Sequence, residues 1–165
     1  MPHELTPQDI EIMQKELDYR RIELMPELLE EVKRTRAFGD LSENYEYKAA
    51  KQAQNANRKR IRYLTRMIQS STVLEDTSAA DEVGLFDRVE LYFEEDDELQ
   101  TVQVVSTVRC DPREGRISRE SPLGRVLLGR RVGDKVTVKV SDAYSYEVEI
   151  RSITKTQDDG SAPVL

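Results

Sequence analysis

The sequence predicts an α+β protein: an N-terminal antiparallel hairpin of two long helices, then a small antiparallel sheet domain with one short helix. Three observations carry this. Apolar residues recur at coiled-coil spacing over the first 76 residues. Beyond Asp76 the apolar period changes to two. Between the two helical runs stands Gly39, the residue best able to adopt the left-handed backbone that follows a helix.

The first helix begins at Thr6-Pro7-Gln8-Asp9. Thr6 suits an N-cap, Pro7 the first helical position, and Asp9 the positive end of the helix dipole. Its apolar stripe is Ile10, Met13, Leu17, Leu24, Leu28 and Val32, interrupted by Arg20 and Arg21. Pro26 lacks the amide donor and crowds the preceding turn, so one helix with a kink is expected. In the second helix Tyr47, Ala50, Gln54, Asn57, Ile61, Leu64 and Ile68 alternate steps of three and four, the seam of a two-helix coiled coil. Gln54 and Asn57 are polar members that fix register, and Ala50, Ala53 and Ala56 are small enough for close approach. Roughly 32 residues per helix give a hairpin about 45–50 Å long. The short turn makes the helices antiparallel neighbours.

In the second part Val89, Leu91 and Phe93 alternate, the acidic run EEDDE (94–98) turns the chain, and Val102 and Val104 return. Val136, Val138 and Val140 then pair through Ser141-Asp142-Ala143 with Tyr146, Val148 and Ile150. Between these hairpins, Ser121 caps a short helix with Pro122 at its first position and Gly129 at its end. The boundaries are a hairpin over 1–76 with its tip at 39–44, a sheet domain over 80–155, and a polar tail over 156–165.

Composition narrows the function classes. The charged fraction is 35% and the hydrophobic fraction 38%, which suits long solvated helices beside a compact domain. Net charge is −7, against a broad nucleic-acid-binding surface. Residues 1–76 are near neutral, with 13 Lys+Arg against 14 Asp+Glu, so residues 77–165 carry most of the acidic excess. No run is apolar enough to span a membrane, and the acidic, polar start is unlike a signal peptide. Cys110 stands alone, which excludes an internal disulfide and fits a cytoplasmic home. His3 is the only histidine, a poor basis for a catalytic dyad.

The tip, GDLSENYEYKAAK (39–51), admits two readings. Asp40 and Glu43 stand three residues apart, close to a capping box that starts the second helix, with Ser42 as a second candidate cap. The same spacing lets two carboxylates converge at the end of a rigid rod. Two carboxylates are hard oxygen ligands suited to Mg²⁺, and too few for a closed site, so a partner must supply the rest. The cluster Arg58, Lys59, Arg60, Arg62 and Arg66 reads as a solvated face paired with acids of the first helix.

GDLSENYEYKAAK closely resembles the tip signature of the bacterial transcript cleavage factors GreA and GreB, and ISRESPLGRVLLGRRVGD (117–134) resembles the signature of their C-terminal domain. The likeness covers nearly the whole chain except the tail. It implies an FKBP-like fold for the sheet domain and a partnership with bacterial RNA polymerase. In the family that domain docks at the rim of the secondary channel and the hairpin enters it. There the tip carboxylates help polymerase hold Mg²⁺ and hydrolyse backtracked RNA near its 3′ end. By position Asp40 and Glu43 match the acidic pair that shares the metal. Asn44 and Tyr47 support the tip, although Tyr47 also falls on the seam. Arg36 and Lys51 match a small basic patch toward the RNA. Ser121, Pro122, Leu123 and Gly124 match the docking segment, and a capped short helix would need the same residues. The resemblance is to the GreA type more than the GreB type, and it implies a polymerase cofactor and not a free-standing enzyme. A monomer is expected, with no membrane partner. The alternatives are a channel-binding inhibitor of the same family, marked by a denser acidic tip, and a coiled-coil adaptor or prolyl-isomerase-like chaperone that needs no metal.

Overall fold

The computed structural model describes residues 3–39 and 44–165. The chain divides into two compact units, one of His3 with Ile10–Thr72 and the other of Glu4–Asp9 with Val73–Leu165. After a short strand β1 (His3–Leu5), the helix α1 (Pro7–Tyr19) starts with a reciprocal cap. The Thr6 amide donates to Asp9 Oδ2 at 2.9 Å, and the Asp9 amide donates to Thr6 Oγ1 at 3.0 Å.

The expected kink takes a particular form. A π turn, Arg20–Leu24, separates α1 from α2 (Met25–Arg36). Pro26 has no amide to offer the preceding turn, and the helix re-pairs by widening, so that the Met25 amide donates to the Arg20 carbonyl five residues back. The returning helix α3 (Tyr45–Gln69) buries Ala50, Gln54, Asn57, Ile61, Leu64 and Met67. Opposite stand buried Met13, Leu17, Val32 and Thr35. Asn57 is held by its partners: it accepts from Arg20 Nη1 at 3.0 Å, and its Nδ2 donates to the Arg20 carbonyl at 3.4 Å. The seam departs from the expected one at two places. Met67 is buried deeper than Ile68, and Ala53 and Ala56 face solvent, leaving Ala50 as the small residue of the seam.

In the second unit the sheet order is β5-β4-β3-β7-β6, built from β3 (Arg88–Phe93), β4 (Glu98–Val105), β5 (Arg116–Ser118), β6 (Lys135–Lys139) and β7 (Ser145–Thr154). A separate strand β2 (Ser71–Val73) pairs with β1. The two expected hairpins are β3–β4 and β6–β7, both antiparallel. The sheet is not wholly antiparallel as expected, because β5 joins β4 in parallel. A three-residue strand with no strong alternation leaves no readable signal. Val89, Leu91, Val102, Val104, Val136, Val138, Val148 and Ile150 form one buried cluster with Leu127 of the short helix α4 (Pro122–Leu127). Val140 lies past the end of β6 and is exposed.

The closing residues 156–165 have no regular structure, yet they are fastened. The Thr156 amide donates to Asp87 Oδ1 at 3.0 Å and the Leu165 amide to the Val108 carbonyl at 3.0 Å.

Candidate functional site

The tip is built from the ends of α2 and α3. Helix α2 finishes at Arg36, and Gly39 takes φ +95°, the left-handed conformation expected after a helix. The cap of α3 is Asn44. Its Oδ1 accepts from the Tyr47 amide at 2.9 Å, while its Nδ2 donates to the Thr35 carbonyl at 2.7 Å. One side chain thus satisfies an orphan donor of α3 and ties that helix to α2. Thr35 is buried, with its hydroxyl donating to the Glu31 carbonyl at 2.9 Å.

This assigns the capping function that the sequence offered to Asp40, Glu43 or Ser42. Helix α3 starts at Tyr45 and needs none of the three as its cap. Asp40 and Glu43 themselves lie outside the described residues. Tyr47 is half-buried in the first turn of α3, consistent with its place on the seam. Arg36 is exposed at the end of α2, and Lys51 lies in the second turn of α3, donating to Gln54 Oε1 at 3.2 Å. Arg34 adds a cation the sequence reading did not single out. It packs over the Phe38 ring at 5.4 Å and pairs with Glu31 at 2.6 Å.

Farther down the hairpin, the cluster at 58–66 divides. Arg60 makes a two-pronged pair with Glu16, at 2.8 and 2.9 Å, and Arg20 shares Glu16 Oε2 at 2.7 Å. The hydrogen bond from Arg60 lowers the Glu16 carboxyl below its ordinary value most, burial opposes it, and Arg20 adds to the lowering. Among the described residues Arg58, Lys59, Arg62 and Arg66 form no ion pair, so the expected pairing with first-helix acids holds for Arg60 alone.

In the second unit Ser121 caps α4 by accepting from the Gly124 amide at 3.0 Å, and Pro122 occupies its first turn. Pro122 is exposed, and Leu123 is half-buried against the core. Gly124 is required by space: a Cβ there would sit 2.1 Å from the Ser118 carbonyl oxygen. The structure therefore gives Ser121, Leu123 and Gly124 a folding role, and leaves Pro122 as the surface member of the motif.

Two family models match most of this chain. The model "Transcription elongation factor, N-terminal" covers residues 3–73, and "Transcription elongation factor, GreA/GreB, C-term" covers 77–155. The chain belongs to the GreA/GreB family. Transcription elongation factor GreA of Geobacillus kaustophilus is 41% identical over 136 residues, 82% of this chain and 86% of that protein. GreA of Macrococcus caseolyticus is 33% identical over 150 residues, 91% of this chain and 95% of that protein. Among solved structures, GreA factor homolog 1 (Gfh1) of Thermus thermophilus is 27% identical, with 94% of this chain and 100% of that one covered at a TM-score of 0.44. The family models place the GreA/GreB N-terminal part on the helical hairpin and the C-terminal part on the sheet. No described helix is long and apolar enough to cross a membrane.

Proposed function

We propose that this chain is a transcript cleavage factor that enters the secondary channel of bacterial RNA polymerase hairpin first. There Asp40 and Glu43 stimulate the polymerase to hydrolyse its own backtracked RNA. Family membership supports the general role. The observation that carries the site is Asn44: it caps α3, so capping no longer explains the pair of acids at Asp40 and Glu43.

The donor chemistry fits a shared Mg²⁺. Two carboxylates three residues apart offer hard oxygen ligands, and polymerase must complete the set. When bound, the ion activates water and stabilises charge on the leaving oxygen. In this reading Asp40 and Glu43 would supply this chain's two carboxylates to that ion. Asn44 fixes the start of α3. Arg36 and Lys51 offer cations to the phosphates of the extruded 3′ end. The docking segment at Ser121–Gly124 meets the channel rim, with Pro122 as its exposed residue. The chain works as a monomer in the cytoplasm and is a cofactor of the polymerase, which performs the chemistry.

The test is addition of the protein to a stalled, backtracked elongation complex, read as a shortened transcript. Asp40→Asn and Glu43→Gln abolish the shortening and leave polymerase binding intact. Persistence of cleavage in both variants defeats the metal role. The purified chain alone leaves RNA whole in Mg²⁺, and degradation in that control overturns the cofactor reading.

A further inference from the structure

Residues 156–165 lie beyond the segment that the GreA/GreB model covers, yet they close over a fully buried charge of the second unit. Arg109 is 0% exposed. Its Nη1 and Nη2 donate to the two carboxylate oxygens of Asp158 at 2.7 Å each. Nη1 also reaches Asp9 Oδ1 at 3.0 Å, Nε donates to the Ala162 carbonyl at 2.6 Å, and the guanidinium stacks on Phe86 at 4.8 Å. Gly160, at φ +78°, lets the strap turn, and its amide donates to Asp158 Oδ1 at 3.0 Å. Burial alone would lower the Arg109 pKa, but the bonds from Asp158 and Asp9 outweigh it and raise it. A guanidinium does not shed its proton, so it stays buried only while its carboxylates stay.

The turn that carries Arg109 also reaches the residues just before the docking segment, through Thr107. Arg109 ends the 3₁₀ turn Thr107–Arg109. Thr107 Oγ1 lies 2.8 Å from Ser118 Oγ and donates to Glu120 Oε2 at 3.1 Å. The Ser118 carbonyl accepts from the Ser121 amide at 3.0 Å and from its hydroxyl at 2.7 Å. Ser121 Oγ in turn accepts from the Gly124 amide, and a Cβ at Gly124 would lie 2.1 Å from the Ser118 carbonyl oxygen.

We infer that the strap 156–165 is a positioning element for the polymerase-docking segment: Asp158 fixes Arg109, the Arg109 turn braces Ser118 through Thr107, and Ser118 sets Ser121–Gly124. The inference rests on the docking reading above for its functional consequence. In this inference Asp158 and Arg109 act through the docking segment and not by contact with polymerase or RNA. Loss of the Asp158 charge leaves the guanidinium with Asp9 as its one remaining carboxylate among the described residues, and the 107–109 turn must then shift or admit water.

The experiment uses the full chain with Asp158→Asn, which keeps the side-chain shape and removes the charge. Amide exchange at Gly124 and the factor concentration that half-saturates transcript cleavage should both rise about 2- to 30-fold, the span of coupling through packed polar networks. Maximal cleavage at saturation is unchanged. Phe93→Ala, which loosens the core at the β3–β4 turn where Phe93 stacks on Tyr146 at 5.9 Å, lowers the melting temperature and leaves half-saturation where it was. An Asp158→Asn variant with wild-type Gly124 exchange overturns the inference. So does one whose half-saturation shifts only as much as that of Phe93→Ala. Pro122→Asp separates the two readings. If it leaves half-saturation unchanged the docking assignment has failed, while Gly124 exchange still decides the strap.

Discussion

The Nδ2 of Asn44 donates to the Thr35 carbonyl at 2.7 Å, joining the first residue before α3 to the last buried turn of α2. The bond ties the start of α3 to the end of α2. The same side chain caps α3 through the Tyr47 amide, so two helix ends depend on one residue. A Ser or Asp in its place could supply the cap but has no amide donor for Thr35.

Asn44→Ala is therefore expected to cost about 1–2 kcal/mol, at the upper end for a lost cap, since it also orphans the Thr35 carbonyl. The melting temperature of the hairpin reports the loss. Asn44→Asp recovers only the cap, and full recovery by Asp would show that the Thr35 bond carries no weight.

Glu16 makes the hairpin acid-sensitive. Its carboxyl is held below the ordinary value of 4.5, chiefly by Arg60. A carboxyl depressed in the folded state stabilises the fold above its unfolded value, and that contribution fades as pH falls through the folded value. Stability should thus be complete at neutral pH and decline below pH 4.5. Glu16→Gln is expected to cost about 1 kcal/mol at neutral pH, since the network is a quarter exposed, and to flatten the acid limb. Melts at neutral pH and near pH 3 measure both, and an unchanged acid limb in the variant would remove Glu16 from the account.

Gly124→Ala places a methyl 2.1 Å from the Ser118 oxygen, and backbone cannot give way as a side-chain end can. A loss of about 1–3 kcal/mol is expected, with weaker polymerase binding. Wild-type stability in this variant would mean that the approach of Gly124 to Ser118 is looser than described.

Arg109→Met keeps much of the side-chain bulk and strands Asp9 and Asp158 without their cation. Breaking a buried pair from one side costs about 3–5 kcal/mol, so denaturant midpoints should fall steeply. An Arg109→Met/Asp158→Leu double variant should recover part of that loss, because it removes one of the two stranded carboxylates and leaves Asp9 alone; no recovery would show that shape, not charge, dominates the node.

Periodicity by itself determined the two helices, their antiparallel pairing and the switch to strands after Asp76, because burial of one face imposes a spacing that any reader of the chain can measure. Local chemistry also fixed the Thr6–Asp9 cap, the left-handed Gly39 and the Ser121 cap, whose partners lie within three residues. Tertiary structure decided the rest. Asp40, Ser42 and Asn44 are all competent caps in sequence, and the choice of Asn44 involves a carbonyl on the opposite helix. Ala53 and Ala56 look like seam residues by size, but the helical phase turns them to solvent. Arg109 sits in an unremarkable polar stretch, with its carboxylate partners 100 and 49 residues away, and a charge can be buried only where the fold brings such partners together.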